Sequence, residues 1–421
     1  MTCKIFLTRS ILCFATLFLC QQARSQDWLQ WGGPNGDFTI DAKGLAEKWP
    51  ADGPKQLWKR PLGLGYSAIL YKGDRLFTMY SKGNKEIIIS LDAKTGKTIW
   101  EYSYARELWP EMRMYFGPGP NATPLIVEDR IISIGIAGQV HCLDLASGKL
   151  LWKRDLPAEF GRRKRVEEYG YSGSPLRYNN TVIVQVGGND HSVIAIDPKD
   201  GSTVWKSGPG GISYAQASLI KLAGQHQFIY FSPEGVNGLD PATGQLLWHW
   251  EIPFDNGNHL TPIVQCNESR IWVSSQFNSG GGRLLEITRK EKNMNVKQIW
   301  FNSKLRGSCW TLIRIGDFIY GSAGGHNVSF ITAFNWKTEK VAWRKRGFHM
   351  AQSLYADNKL IFLDQSGQLS IARISPTSLE VLDTAEVTES VSWTLPTLVS
   401  TKLYVRDKKN ILALELANST E

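Results

Sequence analysis

Histidine side chains that could carry acid–base or metal chemistry are scattered along the chain at no recognisable spacing. The nearest approach to a group is Asn189-Asp190-His191, and His259 and His326 stand in two later loops. An imidazole can act as a general base or a metal ligand, but a lone loop histidine is more often a hydrogen-bonding residue. We therefore expect these residues to contribute to a surface and assign no catalytic residue.

Carboxylates are also present without a spacing that defines an active site. Glycan hydrolysis needs two carboxylates at a set separation. The loops offer several acids that meet no such rule: Glu107, Glu111, Glu167, Glu168 and Asp255. The sequence contains no nucleophile elbow, no His-Glu-x-x-His helix and no phosphate-binding glycine loop. These absences favour a protein that is not an enzyme.

The elements that must position these residues are revealed by a repeat. Two apolar residues, aspartate, three residues, glycine, three residues and tryptophan recur along the chain. The regular copies are spaced 52, 53 and 43 residues apart and are marked by Asp92, Asp144, Asp197 and Asp240. Decayed copies end at Trp300, with about six extra residues in the turn, and at Trp343. A period of forty to fifty residues in a chain with 39 glycines and 16 tryptophans is typical of four-stranded propeller blades.

Each residue of the repeat has a local physical purpose. The aspartate carboxylate can accept backbone N–H groups in a turn, and glycine supplies the positive φ of a bulged hairpin. The tryptophan on the following strand can wedge between adjacent blades. We expect this structural role for Trp58, Trp100, Trp152, Trp205, Trp248, Trp300 and Trp343.

The two ends of the chain predict how the ring closes. Residues 391–416 supply only three strands, and Lys55-Gln56-Leu57-Trp58 resembles an outer strand with no blade before it. Pairing the two gives an all-β, eight-bladed propeller of four-stranded blades over residues 55–416, with the last blade closed by the N-terminal strand. Residues 26–54 are expected to form an extended strap on its surface, and residues 417–421 a tail.

Residues 1–25 are expected to be a secretory signal peptide. Lys4 and Arg9 precede a short apolar run, and Ala23-Arg24-Ser25 gives a small-x-small cleavage pattern. Removing its three basic residues from the net charge of +9 leaves +6. We therefore expect a periplasmic or secreted protein that is monomeric, spans no membrane and binds no nucleic acid. Cys142, Cys266 and Cys309 remain and match no disulfide or metal spacing.

The Leu-Asp-x-x-Thr-Gly-x-x-x-Trp units resemble the propeller repeats of PQQ-like proteins, a family that includes quinoprotein dehydrogenases and BamB-like lipoproteins of outer-membrane protein assembly. The opening 27–36, Gly117-Pro118-Gly119-Pro120 and Tyr171-Ser172-Gly173-Ser174 are similar to exported members. The resemblance covers nearly all of the mature chain. It implies the fold specifically and the activity only weakly, because this fold hosts many functions.

All the long loops are expected on one face, which we call the long-loop face: residues 103–120, 157–170, 187–191, 252–259, 276–282 and 322–330. The tight turns share the other face, the turn face. Function is most often placed on long, varied loops. The candidate partner-binding residues in or beside them are Trp109, Tyr115, Tyr171, Asn189, His191, Tyr214, His259, Trp310, His326 and Trp393.

Three functional hypotheses follow. The first is an exported, non-enzymatic scaffold that binds an envelope protein or a glycan and needs no cofactor. The second, implied by the resemblance, is a dehydrogenase using PQQ and calcium, with Asn121, Asn189, Asp190 and Glu234 as available ligands. Its family's adjacent cysteines have no counterpart here. The third is a glycan-active enzyme at the channel mouth.

Overall fold

Strands make up about half of the described residues, and α1 (Leu156–Phe160) is a short helix between blades two and three. The computed structural model describes residues 26–115, 117–162, 168–208, 211–252, 262–276, 280–291, 293–307, 310–325 and 328–417. Within these ranges no helix is long and apolar enough to cross a bilayer. The strands form eight sheets, each with four antiparallel strands, which confirms the predicted eight-bladed propeller.

The N-terminal strap and strand come first in the chain, as β1 (Thr39–Ile40) and β2 (Lys55–Pro61). Blades one to four then follow with their strands in chain order from the channel outwards. Blade one contains β3 (Leu70–Lys72), β4 (Arg75–Lys82), β5 (Lys85–Asp92) and β6 (Thr98–Ala105). Blade two contains β7 (Leu125–Val127), β8 (Arg130–Ile134), β9 (Gln139–Asp144) and β10 (Leu150–Asp155). Blade three contains β11 (Leu176–Tyr178), β12 (Thr181–Gln185), β13 (Val193–Ile196) and β14 (Thr203–Ser207). Blade four contains β15 (Ser218–Leu222), β16 (Gln225–Ser232), β17 (Gly235–Leu239) and β18 (Leu246–Glu251).

The remaining blades repeat this order. Blade five contains β19 (Val264–Gln265), β20 (Arg270–Ser275), β21 (Gly281–Lys290) and β22 (Asn293–Asn302). Blade six contains β23 (Leu312–Ile315), β24 (Phe318–Gly325), β25 (Val328–Asn335) and β26 (Val341–Arg346). Blade seven contains β27 (Gln352–Ala356), β28 (Lys359–Leu363), β29 (Gln368–Ile374) and β30 (Leu379–Glu386). Blade eight contains β31 (Thr397–Val399), β32 (Lys402–Arg406) and β33 (Asn410–Glu415), with β2 as its outer strand.

The closure of the ring is the predicted one. β2 pairs antiparallel with β33, in a register that runs from Lys55 opposite Glu415 to Pro61 opposite Asn410. Both chain ends therefore belong to one sheet. This pairing gives the last blade its fourth strand and holds the two ends of the ring together.

The repeat residues form the expected turn on the turn face. In blade one, Asp92 accepts the N–H of Thr95 at 2.8 Å through its side chain and the N–H of Gly96 at 2.8 Å through its carbonyl. Gly96 has a φ of +69°. A side chain rarely adopts this left-handed conformation, so the turn requires glycine.

Each regular turn receives the tryptophan of the preceding blade. Trp100 donates from Nε1 to the carbonyl of Leu145 in blade two at 3.2 Å. A Cβ built on Gly148 would lie 2.6 Å from the Trp100 ring, so only glycine leaves room for the indole. Trp248 differs, because its Nε1 donates to Gln227 within its own blade at 2.6 Å. The next blade has a long β21–β22 hairpin in place of the regular turn.

The inner strands are short. β3, for example, begins only at Leu70. The residues before it bond to the neighbouring blade instead: Ala68 N–H donates to Thr123 Oγ1 at 3.0 Å. Likewise, Thr123 N–H donates to Ser174 Oγ at 3.0 Å, and Ser174 N–H to Gln216 Oε1 at 2.7 Å. Buried hydroxyl and amide groups thus link successive blades around the channel.

The N-terminal strap packs on the propeller through buried apolar side chains, while many of its polar residues are exposed. Trp28 is fully buried and exchanges backbone hydrogen bonds with Tyr71 at the end of β3. The carbonyl of Leu29 accepts from Ile126 of blade two, and β1 pairs in parallel with β27 of blade seven. The strap therefore runs along the channel-lining strands at their turn-face ends. Its apolar side chains cover the turn-face ends of these strands and shield them from water.

Candidate functional site

Three aromatic rings from three different blades meet at the channel mouth of the long-loop face. Tyr66 leads into blade one, Trp310 into blade six and Trp393 into blade eight. The ring centroids of Tyr66 and Trp393 are 5.3 Å apart, and those of Trp310 and Trp393 are 6.5 Å apart. All three rings are half-buried. We call Tyr66, Trp310, Trp393 and Lys408 the mouth cluster.

Lys408 completes the mouth cluster from the β32–β33 loop. Its Nζ lies 5.3 Å from the Trp393 ring centroid and 5.9 Å from that of Tyr66. A cation over two ring faces is attracted by their quadrupoles. Burial raises the pKa of Tyr66 to about 12, so the phenol stays neutral and able to donate a hydrogen bond. The cluster offers flat apolar faces, one positive charge and a hydroxyl.

Hydrogen bonds hold Trp393 and Tyr66 of the mouth cluster in place. Trp393 donates from Nε1 to Gln365 Oε1 at 3.1 Å, and its carbonyl accepts from Gln352 Nε2 at 3.1 Å. Tyr66 N–H donates to the carbonyl of Pro120 at 2.8 Å. Rings that are held in this way lose little freedom when they contact a partner, which favours tight binding.

Arg406 lies beneath the mouth cluster and joins blade eight to blade one. It is fully buried, and its guanidinium donates to the carbonyls of Gly63, Ser67 and Met79 and to the hydroxyl of Thr78. Burial lowers the pKa of Arg406 to about 10, so it remains charged at neutral pH. The guanidinium thus fastens the ring where the N- and C-terminal strands meet.

A buried carboxyl organises the loops of blades one to three. Glu86 accepts the N–H of Ile136 at 3.1 Å and contacts the hydroxyl of Tyr104 at 2.7 Å. The carbonyl of Ile136 in turn accepts from Tyr171 N–H, and the Tyr171 hydroxyl donates to Val186 at 2.9 Å. Burial raises the pKa of Glu86 to about 7, against the lowering effect of these hydrogen bonds. This chain of contacts couples three blades on the long-loop face.

Two predicted surface aromatics are interior residues instead. Trp109 is 8% exposed, with the Arg162 guanidinium 4.5 Å from its ring centroid. Tyr171 is 1% exposed, and its hydroxyl is used in the chain of contacts that starts at Glu86. Neither ring is available to a partner in this structure. Tyr115, by contrast, is 79% exposed on the loop that Arg113 fastens to Glu168 at 3.1 Å.

The other predicted site residues are spread over the face. Asn189 is exposed and His191 half-buried in the loop between β12 and β13. Tyr214 packs edge-on against Tyr169 at 5.0 Å. His259 and His326 lie outside the described residues. The structure therefore brings Trp310 and Trp393 together and leaves Tyr115, Asn189 and Tyr214 elsewhere on the same face.

Tyr66, Lys408, Arg406 and Glu86 were not predicted from the sequence. One signal could have found Tyr66, since it directly precedes a hydroxyl residue, as do Trp310 before Thr311 and Trp393 before Thr394. This aromatic–hydroxyl pair recurs where the chain enters an inner strand. Sequence inspection offers no such signal for Arg406 or Glu86, because their importance comes from burial at blade junctions.

The described residues do not assemble a metal centre. No group of three histidine, cysteine, aspartate or glutamate side chains within the described ranges lies close enough to hold an ion. Asn121 contacts Ser172 at 3.3 Å, while Asn189 and Asp190 are exposed one blade further on. Calcium requires six or more oxygen ligands around one point. Among the described residues, Asn121 and the Asn189–Asp190 pair therefore belong to different blades.

The two cysteines within the described ranges are structural. Cys142 and Cys266 are free and buried, as expected for small apolar side chains. Burial raises the pKa of Cys142 to about 12, which makes its thiolate scarce at neutral pH. Cys309 lies outside the described residues.

A cavity of about 410 Å³ lies away from the mouth cluster, between the end of the strap and β30. It is lined by Trp49, Pro50, Asp52, Gly53 and residues 383–386. Trp49 N–H donates to Asp383 Oδ2 at 2.6 Å, and Trp49 is buried against blade seven, whose outer strand lacks the repeat tryptophan. The strap thus supplies an indole where the repeat has none.

Comparison with known proteins gives a family match over most of the propeller. Residues 83–394 match the family model described as outer membrane protein assembly factor BamB. A protein of that name from Burkholderia pseudomallei is 25% identical over 207 residues, covering 46% of this chain. The match spans 48% of that protein, so the chain covers about half the length of this curated relative.

Solved structures share the fold at low identity. BamB from Moraxella catarrhalis superposes with a TM-score of 0.56 at 15% identity, covering 86% of this chain and 99% of that one. Quinohemoprotein alcohol dehydrogenase from Comamonas testosteroni gives a TM-score of 0.65 at 13% identity, covering 94% and 81%. At such identities the likeness concerns the fold alone.

Proposed function

This chain belongs to the family described as outer membrane protein assembly factor BamB, and on that premise we propose that it is an exported, non-enzymatic scaffold of the bacterial envelope. It binds an envelope protein on its long-loop face, with the mouth cluster at the centre of the contact. The signal-like segment 1–25 supports export to the periplasm or beyond.

The mouth cluster is the observation that carries this proposal. Tryptophan, tyrosine and cationic side chains dominate the energetics of protein interfaces, especially when they are pre-fixed and partly desolvated. Trp310, Trp393 and Tyr66 have these properties, and each comes from a separate blade. A partner that contacts all three therefore spans the channel mouth, and exposed Tyr115 lies on the same face.

The strap supports the choice of face. It occupies the channel-lining strands of blades one, two and seven at the turn face, where Trp28 and Leu45 are buried. The turn-face loops are short and tightly bonded within their own hairpins. Loops that vary in length and composition are where binding residues concentrate. Access from the long-loop face therefore favours that side for a partner.

The test compares proteins retained from envelope extract by immobilised wild type and by a Trp310→Ala/Trp393→Ala variant. Val204→Ala serves as the matched control, because Val204 is a 52% exposed apolar residue on the outer strand β14. We expect one or more proteins retained by wild type and Val204→Ala and lost by the double variant. Equal retention by all three would contradict a partner site at the mouth.

The alternative cofactor and glycan hypotheses are tested by thermal unfolding. A ligand at a hundred times its Kd that binds only the folded protein adds about 2.7 kcal/mol of stability. We expect no rise in Tm with PQQ plus calcium or with envelope glycans. A rise with PQQ and calcium would instead favour a quinoprotein, and a rise with one glycan would favour a sugar site.

A further inference from the structure

A second feature of the long-loop face is a concentration of positive charge at its outer edge, between blades five and six. Lys304 and Arg306 begin the loop that follows β22, and Arg344, Lys345 and Arg346 end β26. Neither 297–307 nor 341–350 contains an aspartate or glutamate. We call these five residues the basic edge.

The two blades touch within the basic edge. Arg344 donates from Nη2 to the carbonyl of Lys304 at 2.8 Å, which brings the guanidinium of blade six against the backbone of blade five. The guanidinium carbons of Arg344 and Arg346 lie 5.9 and 5.4 Å from the centroid of one ring, Phe330. Stacking on the ring holds the planar forks in position and leaves their edges open to solvent.

Four of the five basic side chains form no ion pair among the described residues. In the part of the chain that the structure describes, no ion pair involves Lys304, Arg344, Lys345 or Arg346. The ion pairs nearest in sequence are Lys337 with Asp317 and Lys359 with Asp357. Two guanidinium groups on one ring repel each other, and an oxyanion between them relieves that repulsion.

We propose that the basic edge binds an extended acidic segment of the protein partner. This inference deepens the proposed function, on which it rests, by naming the chemistry of the partner. Arg344 and Arg346 alternate along a strand, so their side chains emerge about 6.5–7 Å apart on one side of the sheet. Carboxylates on alternate residues of an extended polypeptide repeat at the same distance. Each guanidinium group can donate two hydrogen bonds to one carboxylate.

The arrangement favours a polypeptide over an anionic membrane. The guanidinium groups of Arg344 and Arg346 lie against Phe330, and Arg344 is also bonded to the backbone of the neighbouring blade, so both are held close to the sheet. Binding to anionic lipid needs side chains that reach a plane of headgroups together. Two guanidinium groups held along one strand suit a linear ligand.

The probe is a fluorescent peptide in which glutamate alternates with serine. The key variant is Lys304→Gln/Arg344→Gln/Arg346→Gln. Its matched control, Lys94→Gln/Lys97→Gln/Lys149→Gln, removes the same three charges from exposed turns on the opposite face. We expect at least a tenfold loss of peptide affinity in the first and less than twofold in the second. Unfolding curves confirm that both variants remain folded.

Three results would overturn the inference: equal losses in both variants, equal binding of a peptide with its glutamates in one block, or binding to phosphatidylglycerol vesicles with no binding to the peptide. The outcome is separable from that of the proposed function. If wild type and the Lys304→Gln/Arg344→Gln/Arg346→Gln variant retain the envelope partner equally, the scaffold role stands and the proposed binding of an acidic segment is wrong. If no partner is retained at all, the scaffold role fails while the peptide titration still gives its own answer.

Discussion

Replacing Arg406 by methionine tests how the propeller ring is closed. The guanidinium makes four hydrogen bonds of 2.6–3.2 Å, which reach back from blade eight to the segment that enters blade one and to β4. Methionine fills a similar length of space but donates no hydrogen bond. Arg406→Met therefore removes the polar link and leaves three buried carbonyls and one hydroxyl without this donor.

The expected loss follows from these contacts. Hydrogen bonds to a charged group contribute about 1.5–3 kcal/mol each, or about 6–12 kcal/mol for four. Keeping the guanidinium out of water costs several kcal/mol, which offsets part of this gain. Deleting one partner of a buried charged network typically lowers stability by about 3–5 kcal/mol. We expect a loss in that range for Arg406→Met and a smaller loss for Arg406→Lys, which keeps the charge but not the fork.

The assay is equilibrium urea unfolding followed by tryptophan fluorescence, which the 16 tryptophans make sensitive. Arg373→Met is the control, because Arg373 forms half-exposed ion pairs with Glu47 and Glu380. Such pairs contribute about 0–1 kcal/mol. If Arg406→Met unfolds within 1 kcal/mol of wild type, the buried guanidinium does not hold the ring closed and the reasoning is refuted.

Three further perturbations test the packing. Gly148→Ala should destabilise the protein more than Gly83→Ala does, by about 1–3 kcal/mol in the same assay. Both glycines have a positive φ, but only a Cβ on Gly148 would meet the Trp100 ring. Equal losses would contradict the packing of Trp100 between the blades. Trp28→Ala should cost about 3–5 kcal/mol, because its side chain is fully buried, whereas a loss under 1 kcal/mol would show that the Trp28 indole does not anchor the strap. The raised pKa of Glu86, about 7, means that the folded state holds its proton more tightly than the unfolded state does. The stabilisation that comes from this bound proton is complete below pH 4.5 and is lost as pH rises through 7. The free energy of unfolding of wild type should therefore fall by up to about 3 kcal/mol relative to that of Glu86→Gln between pH 4.5 and 8. Parallel stability profiles of the two proteins would contradict this assignment.

The propeller was predictable because its determinants are local and repeated. An Asp–Gly turn and a tryptophan at fixed spacing act within one hairpin and on the next one, so each copy reports the same geometry. The partial last blade and the unpaired Lys55-Gln56-Leu57-Trp58 left one way to close the ring. The packing of the strap was not predictable because residues 26–54 carry no repeat, and only the assembled channel shows which apolar surface Trp28 covers.

The site was only partly predictable. Trp109, Tyr171, Trp310 and Trp393 were all predicted as aromatic residues in or beside the long loops, but the structure buries Trp109 and Tyr171. Burial depends on contacts between blades that are far apart in sequence, such as Ile136 with both Glu86 and Tyr171. Such contacts leave no spacing that a single sequence can reveal.

The most direct test of a partner site on the long-loop face is photo-crosslinking from defined positions. A benzoyl-phenylalanine group replaces Tyr115 or Lys408 on the long-loop face, and Lys94 or Lys149 on the turn face, in cells that export the protein. We predict adducts to the same envelope protein from both long-loop positions and none from the turn-face positions. Adducts from the turn face alone, or equally from both faces, would contradict the account.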